Sequence, residues 1–301
     1  MCEGANYQMA KPLTLSIIGA GLIGSSLARA IRHCENWHLR LYDTCDDVRA
    51  ACRKLNLADI VDNELSTSIS AADIIILATP VGTYSKLVES INEHAQPSAI
   101  ISDVGSVKSM VAEVFGTLRA DIRPVPAHPI AGTEKSGPEN GFASLFQNRW
   151  CIITPINEDM DAREKIADIW RQAGSRIEYM AADRHDLVMA ITSHIPHLVA
   201  FSTVGTANHL EQVTSSEVIK YSAGGFDSFT RLAGSDPIMW RDVFLNNKDA
   251  VLEMLARFTE DLIAVQRMIR FDDAEGLEDL FRETQKIRRE LIDSGMGRLQ
   301  T

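Results

Sequence analysis

The stretch LTLSIIGAGLIGSSLARAI, residues 13–31, decides the architecture. Its first six residues form a short apolar run with the composition of a buried strand. GAGLIG follows at once, with Gly19, Gly21 and Gly24 in a GxGxxG frame, and then a small-residue apolar segment that reads as a helix. Strand, glycine turn and helix in that order open a dinucleotide-binding βαβ unit. The glycines permit a tight turn and let a pyrophosphate approach the positive helix N-terminus. Gly19, Gly21, Leu22, Ile23 and Gly24 are the candidate contacts. Asp43 closes the second strand about 20 residues on, where a carboxylate accepts hydrogen bonds from the ribose hydroxyls of NAD and repels the 2′-phosphate of NADP. The next arginine is Arg49. NAD is therefore expected rather than NADP.

Outward from this unit, HLRLYD (38–43), DIIILATP (73–80), AIISDV (99–104) and IRPVPA (122–127) read as strands, with helices starting at Leu22, Thr44, Thr83 and Ser106. Such alternation implies a parallel sheet covered on both faces. NRWCIITP (148–155) reads as one more strand and AREKIADIWRQAG (162–174) as a covering helix stopped by Gly174. Ligands of doubly wound sheets lie beyond the carboxyl ends of the strands, so Thr79, Pro80, Val81, the segment from Asp103 to Lys108 and the PAHPIAG loop (126–132) should surround one crevice. Ser106 either caps its helix, touches ligand, or does both. His128 lies between two prolines that leave its peptide little freedom.

Strand signals end near residue 180. The segment Asp183–His209 reads as one helix with Asp183 as N-cap and apolar residues on nearly every side. Val251, Leu255, Phe258, Leu262, Val265 and Ile269 recur at helical steps. The expected class is α/β, an N-terminal Rossmann-type doubly wound parallel sheet (1–180) followed by a C-terminal all-α domain for substrate and dimerisation (181–301). The long apolar helix fits either a dimer interface or a monomeric helical core.

A chain of 301 residues with 45% hydrophobic and 24% charged residues has the balance of a soluble two-domain protein. A formal net charge of −11 argues against nucleic-acid or anionic-membrane partners, so an anionic substrate needs local cations. The five cysteines are odd in number and lack CxxC spacing, which suggests reduced thiols in a cytoplasmic protein. No apolar run reads as a membrane span. No third ligand accompanies His194 and His197, so no metal is expected.

Taken in order, GAGLIGSS, DVGSVK, HPIAGTEKSG, TSHIPHLVAF, FTRLAGSDPIMWRD and the terminal helices resemble the prephenate/arogenate (cyclohexadienyl) dehydrogenase family over roughly residues 13–293. The resemblance implies oxidative decarboxylation in tyrosine biosynthesis. A ring hydroxyl loses its proton, hydride leaves C4 for NAD+, and loss of CO2 from C1 restores aromaticity. It implies that His128 is the base, that Ser106 bonds the hydroxyl or orients His128, and that Arg231 binds the ring carboxylate bidentately. Thr133, Glu134, Ser193, His194 and His197 would line the pocket; from the residues alone, His194 and His197 are equally well a helix-core pair satisfied by backbone. Many bacterial relatives carry a basic residue four positions before the arginine, where this chain has Asp227. That change either favours L-arogenate, whose side chain bears an ammonium, or is tolerated on an exposed turn.

A homodimer and competition by tyrosine at the active site are expected, with neither a mutase domain before the first strand nor a regulatory domain after the last helix. Two other classes are weighed: a β-hydroxyacid-type dehydrogenase and a non-catalytic NAD-binding sensor. The first relies on a lysine in the interdomain helix, and no lysine occurs from 183 to 219. The second predicts loss of the base and the cation, yet His128, Ser106 and Arg231 are present.

Overall fold

The computed structural model describes residues 12–133, 135–214, 219–221 and 223–293. Strands β1 (Leu13–Ile18), β2 (Trp37–Tyr42), β3 (Ile60–Val61), β4 (Ile74–Leu77), β5 (Ile100–Asp103) and β6 (Arg123–Pro124) form one parallel sheet in the order β3-β2-β1-β4-β5-β6. The order reverses between β1 and β4, which opens a crevice at their carboxyl ends. All four residues of β4 are buried, and the two-residue period of a strand sorts them to opposite faces. Ile74 and Ile76 join a core with Leu27, Ile31 and Trp170, while Ile75 and Leu77 join one with Tyr84, Val88 and Phe115.

The helices that cover these faces are α1 (Leu22–Ile31), α2 (Asp46–Lys54), α3 (Leu65–Ser70), α4 (Tyr84–His94), α5 (Ser109–Phe115) and α6 (Met160–Gln172). Gly174 has φ +96° just past α6, the left-handed stop expected there. Ser106, by contrast, does not cap a helix. Lys108 is the N-cap of α5, and Ser106 stays in the loop that precedes it.

The expected strand 122–127 is two strands in two sheets. β6 ends at Pro124, and β7 (Ala127–Pro129) pairs antiparallel with β8 (Trp150–Ile153), which pairs parallel with β9 (Arg176–Tyr179). Pro124 and Pro126 lack the N–H that a continuous ladder needs, so the chain changes sheets there. His128 is therefore a strand residue, opposite Ile152, rather than part of a loop. Register with β8 adds to the restraint from its flanking prolines.

The helix expected from Asp183 begins one residue earlier. α7 (Ala182–Met189) starts where the His185 N–H bonds the Ala181 carbonyl at 2.9 Å, so Ala181 is the N-cap and Asp183 lies inside the first turn. A π turn, Ala190–His194, then leads into α8 (Ile195–Thr214). Pro196 offers no N–H to the Thr192 carbonyl, and the wider turn accommodates that lost bond. α9 (Gly224–Thr230) and α10 (Pro237–Asn246) follow, the latter capped by Asp236, whose carboxylate accepts from the Ile238 and Met239 N–H groups.

Within Ala182–Val213, an 18-residue segment with a mean hydropathy of 1.5 is long and apolar enough to cross a membrane by length and composition. The reading that no apolar run reaches that length counts unbroken runs; here Thr, Ser, His and Pro interrupt Leu, Val, Ile and Phe that are frequent enough to keep the average high. Core helices of globular proteins pass the same test, and this one carries His185 and His194 fully buried.

By internal contacts the chain forms two compact units, 1–251 and 252–301. The second contains most of α11 (Lys248–Arg270) and α12 (Ala274–Asp293), joined by a turn in which Asp273 accepts from the Gly276 N–H. Leu262 and Ile269 of the predicted stripe are exposed in the single chain.

Candidate active site

The glycine turn has the shape a pyrophosphate needs. Gly19 takes φ +102°, and a Cβ there would lie 2.5 Å from the Ala78 carbonyl oxygen. At Gly24 a Cβ would lie 2.0 Å from the Gly19 carbonyl oxygen, so helix and turn pack too closely for any side chain. A Cβ on Gly21 would meet no protein atom within 4 Å, which leaves space for a ligand at the start of α1. That helix has no side-chain cap and no acid in its first turn, so its N–H groups suit an anion. The Asp43 carboxylate accepts the Ala20 N–H at 2.9 Å and the Cys45 N–H at 3.0 Å, and so stands beside the glycine turn as a ribose contact requires. Arg49 is nearer than its sequence distance suggests: it donates to the Asp43 carbonyl at 2.6 Å and also pairs with Asp46. The donor set fits NAD.

Across the crevice, Gly105 lets two loops meet, since a Cβ there would lie 2.6 Å from Val81 and 2.9 Å from Asp103. Thr79 and Pro80 lie on the same turn, tied down by Thr83, whose hydroxyl bonds the Thr79 hydroxyl at 2.8 Å and the Pro80 carbonyl at 2.7 Å. Asp103 itself is corrected from cofactor contact to internal hub. It is fully buried, and its oxygens accept from the Gly105 N–H (2.8 Å), the Ala127 N–H (3.1 Å) and Lys108 Nζ (2.6 Å). Lys108 Nζ also donates to the Ala127 carbonyl at 2.7 Å. Burial pulls the Lys108 pKa down, and the Asp103 carboxylate opposes that shift. The buried ion pair thus fastens the Ser106 loop to the strand that carries His128.

His128 Nδ1 lies 2.8 Å from His185 Nε2, and His185 Nδ1 lies 2.8 Å from Asp186 Oδ1. Burial, then His185, Lys108 and His194, hold the His128 imidazole well below its ordinary pKa. It is therefore neutral, and able to accept a proton, throughout the physiological range.

The helical side supplies a second group of rings. His197 stacks on Trp240 with centroids 3.7 Å apart, and its Nδ1 donates to the Ser193 carbonyl at 2.9 Å. His194 is fully buried and meets Trp240 edge-on at 5.9 Å. Trp240 packs on Val107, which ties this wall to the Ser106 loop. Arg231 opens a 3-10 turn after α9, close enough to His197 to depress its pKa after burial has done most of that work. Asp227 is exposed on α9, and Thr133 is exposed on its loop, bonded to the Lys135 N–H at 3.2 Å. Glu134 lies outside the described residues.

Sequence reasoning placed Lys108 at the crevice without a role and missed His185, Asp186, Trp240 and Asn247. The pairings Asp186–Lys108 and His128–His185 span 78 and 57 residues, and no local pattern signals them. Among the described residues, no group of three or more His, Cys, Asp and Glu is placed to hold a metal ion.

The buried histidines make stability depend on pH. Burial lowers the pKa of both His185 and His194, the latter to about 4. In the unfolded chain each titrates near 6.5, so below that pH the unfolded state binds protons that the folded state does not. Stability should fall as the pH drops from about 6.5 toward 4, by about 1.4 kcal/mol per pH unit for His194 alone. Thermal melts should show Tm level above about pH 7 and declining below about pH 6. A Tm unchanged down to about pH 5 would contradict the burial of these neutral rings.

A parallel sheet in this order, with its glycine turn and ribose-side carboxylate, belongs to the nucleotide-linked dehydrogenase class. Residues 27–179 match the family model described as prephenate dehydrogenase, nucleotide-binding domain, and residues 181–283 match prephenate dehydrogenase, dimerization domain. The chain belongs to the prephenate dehydrogenase family. It is 38% identical to the cyclohexadienyl dehydrogenase of Zymomonas mobilis over 91% of this chain and 94% of the relative. It is 32% identical to the prephenate dehydrogenase of Bacillus subtilis over 91% and 75%. The crystal structure of Aquifex aeolicus prephenate dehydrogenase in complex with hydroxyphenyl propionate and NAD+ superposes with a TM-score of 0.87 at 31% identity, covering 93% of this chain and 98% of that one.

Proposed function

We propose that this enzyme oxidatively decarboxylates prephenate, L-arogenate or both, giving 4-hydroxyphenylpyruvate or L-tyrosine, within residues 1–180 for nucleotide and 181–301 for substrate and dimerisation. The observation that carries the reading is a half-buried, neutral His128 held in a strand beside the nucleotide crevice. NAD+, when bound, supplies the hydride acceptor. His128 takes the proton of the ring hydroxyl, and Ser106, on the loop fastened to the His128 strand, bonds or orients the same hydroxyl. Arg231 holds the ring carboxylate, since a guanidinium matches it with two parallel hydrogen bonds. His197, whose Nδ1 is spent on the Ser193 carbonyl, has Nε2 left for substrate, and Thr133 would contribute from its exposed loop.

The protein acts as a cytoplasmic homodimer on this reading. Support comes from the name of the second family model and from the exposed apolar side chains of Leu210, Val213, Leu262, Ile263, Phe271 and Phe281. Tyrosine competes for the active site because product and substrate share a ring. Asp227 favours arogenate, being a carboxylate one helical turn before Arg231 where a cation would favour a second carboxylate. The test is the ratio of kcat/KM for the two substrates in the parent and in Asp227→Arg. The substitution should move that ratio toward prephenate by roughly 10-fold; an unchanged ratio would remove Asp227 from the specificity argument.

A further inference from the structure

We propose that His185 and Asp186, neither of which meets substrate, are positioning residues that fix the tautomer of His128 and so make Nε2 its basic nitrogen. The inference rests on the proposed role of His128. Asp186 Oδ1 accepts the Lys108 N–H at 2.7 Å and faces His185 Nδ1 at 2.8 Å, while Oδ2 accepts the Ser109 N–H at 2.8 Å. Burial alone would raise the Asp186 pKa, but the bonds from His185, Lys108 and Ser109 outweigh it and hold the carboxyl below its ordinary value. A carboxylate accepts only, so His185 Nδ1 carries the hydrogen.

A neutral imidazole has one N–H, which leaves a lone pair on His185 Nε2. His128 Nδ1, 2.8 Å away, must then be the donor, and the free lone pair of His128 is at Nε2. The opposite arrangement would need a doubly protonated His185. Burial and the nearby Lys108 ammonium both oppose that, and His185 is held below its ordinary pKa despite Asp186. The charged and titratable groups around His128 are His185 and Asp186 from α7, Lys108 and Asp103 from the β5–α5 segment, Cys151 from β8 and His194 from the π turn.

The same carboxylate acts on Ser106. By bonding the N–H groups of Lys108 and Ser109 it sets the start of α5, two and three residues past Ser106. Asn247, just past the end of α10, braces the arrangement, donating to the Asp186 carbonyl at 2.9 Å and meeting His194 Nδ1 at 3.1 Å. When substrate reacts, its O–H bond breaks and the proton bonds to His128 Nε2. The Nδ1 proton of His128 can shift toward His185 Nε2, so the one positive charge gained spreads toward Asp186.

The test is long-range proton–nitrogen correlation NMR on the full-length, 15N-histidine-labelled protein near pH 7.5, with His128 assigned by its loss in His128→Asn. His128 should carry its proton on Nδ1 and leave Nε2 bare. His185→Phe should abolish that preference and lower kcat about 100-fold with NAD+ affinity unchanged. His185→Gln, able to accept from Nδ1 and donate to Asp186, should restore the tautomer and most of the rate. A parent spectrum with His128 protonated on Nε2 overturns the proposal even if no variant folds. So does His185→Phe keeping parental rate and tautomer. The expected spectrum without turnover of either substrate would sink the proposed reaction and leave the tautomer assignment standing.

Discussion

Asparagine at position 128 is expected to lower kcat by roughly 1,000-fold while NAD+ binds as before. The size follows from what is lost and what is kept. Asparagine retains a donor that can reach His185, so the strand and its neighbours need not rearrange. It cannot accept the hydroxyl proton, and general bases typically contribute between about 100- and 10,000-fold. The buried setting of His128 extends the consequence to pH. Because burial, His185, Lys108 and His194 depress its pKa, the acid limb of kcat/KM in the parent should lie well below 6.5. Rates on prephenate and arogenate across pH, with NAD+ affinity measured separately, check both statements. Near-parental turnover in the variant would remove His128 from the chemistry.

Glutamine at position 231 is expected to reduce kcat/KM roughly 100-fold, chiefly through KM for the ring substrate. Arg231 is exposed in a 3-10 turn between two helices and sits beside His197 rather than beside His128. Its loss should therefore weaken substrate binding without changing how a bound substrate reacts. Lysine keeps the charge but not the paired geometry, so Arg231→Lys should fall between parent and glutamine. Steady-state kinetics on all three proteins check the order. A fall in kcat with KM unchanged would place Arg231 at the reacting centre instead of at the carboxylate.

The parts legible in the sequence were those with local causes. Gly19, Gly21 and Gly24 follow directly from a strand, and Asp43 ends the next one, so nucleotide fold and ribose contact are written within about 30 residues. The parallel, doubly covered sheet follows from the alternation of apolar runs and helices, whereas its strand order is seen only in the structure. Proline punctuation was harder to read in the sheet, where Pro124 and Pro126 split one expected strand between two sheets. The β9 strand was missed because RIEY has only one half-buried residue among exposed ones, too weak a period to register. The His128–His185–Asp186 chain was invisible for a different reason. Its members lie on a strand and a helix that meet only after folding, and an adjacent His-Asp pair on a helix gives no hint that both face inward.

One measurement bears most directly on this account: NADH and CO2 released when the purified enzyme meets NAD+ with prephenate or arogenate carrying deuterium at C4. NADH and CO2 should form in equal amounts, the deuterium should appear on the reduced nicotinamide, and NADP+ should support much less turnover. Reduction of NAD+ without CO2, or no reduction with either substrate, would contradict the proposed reaction.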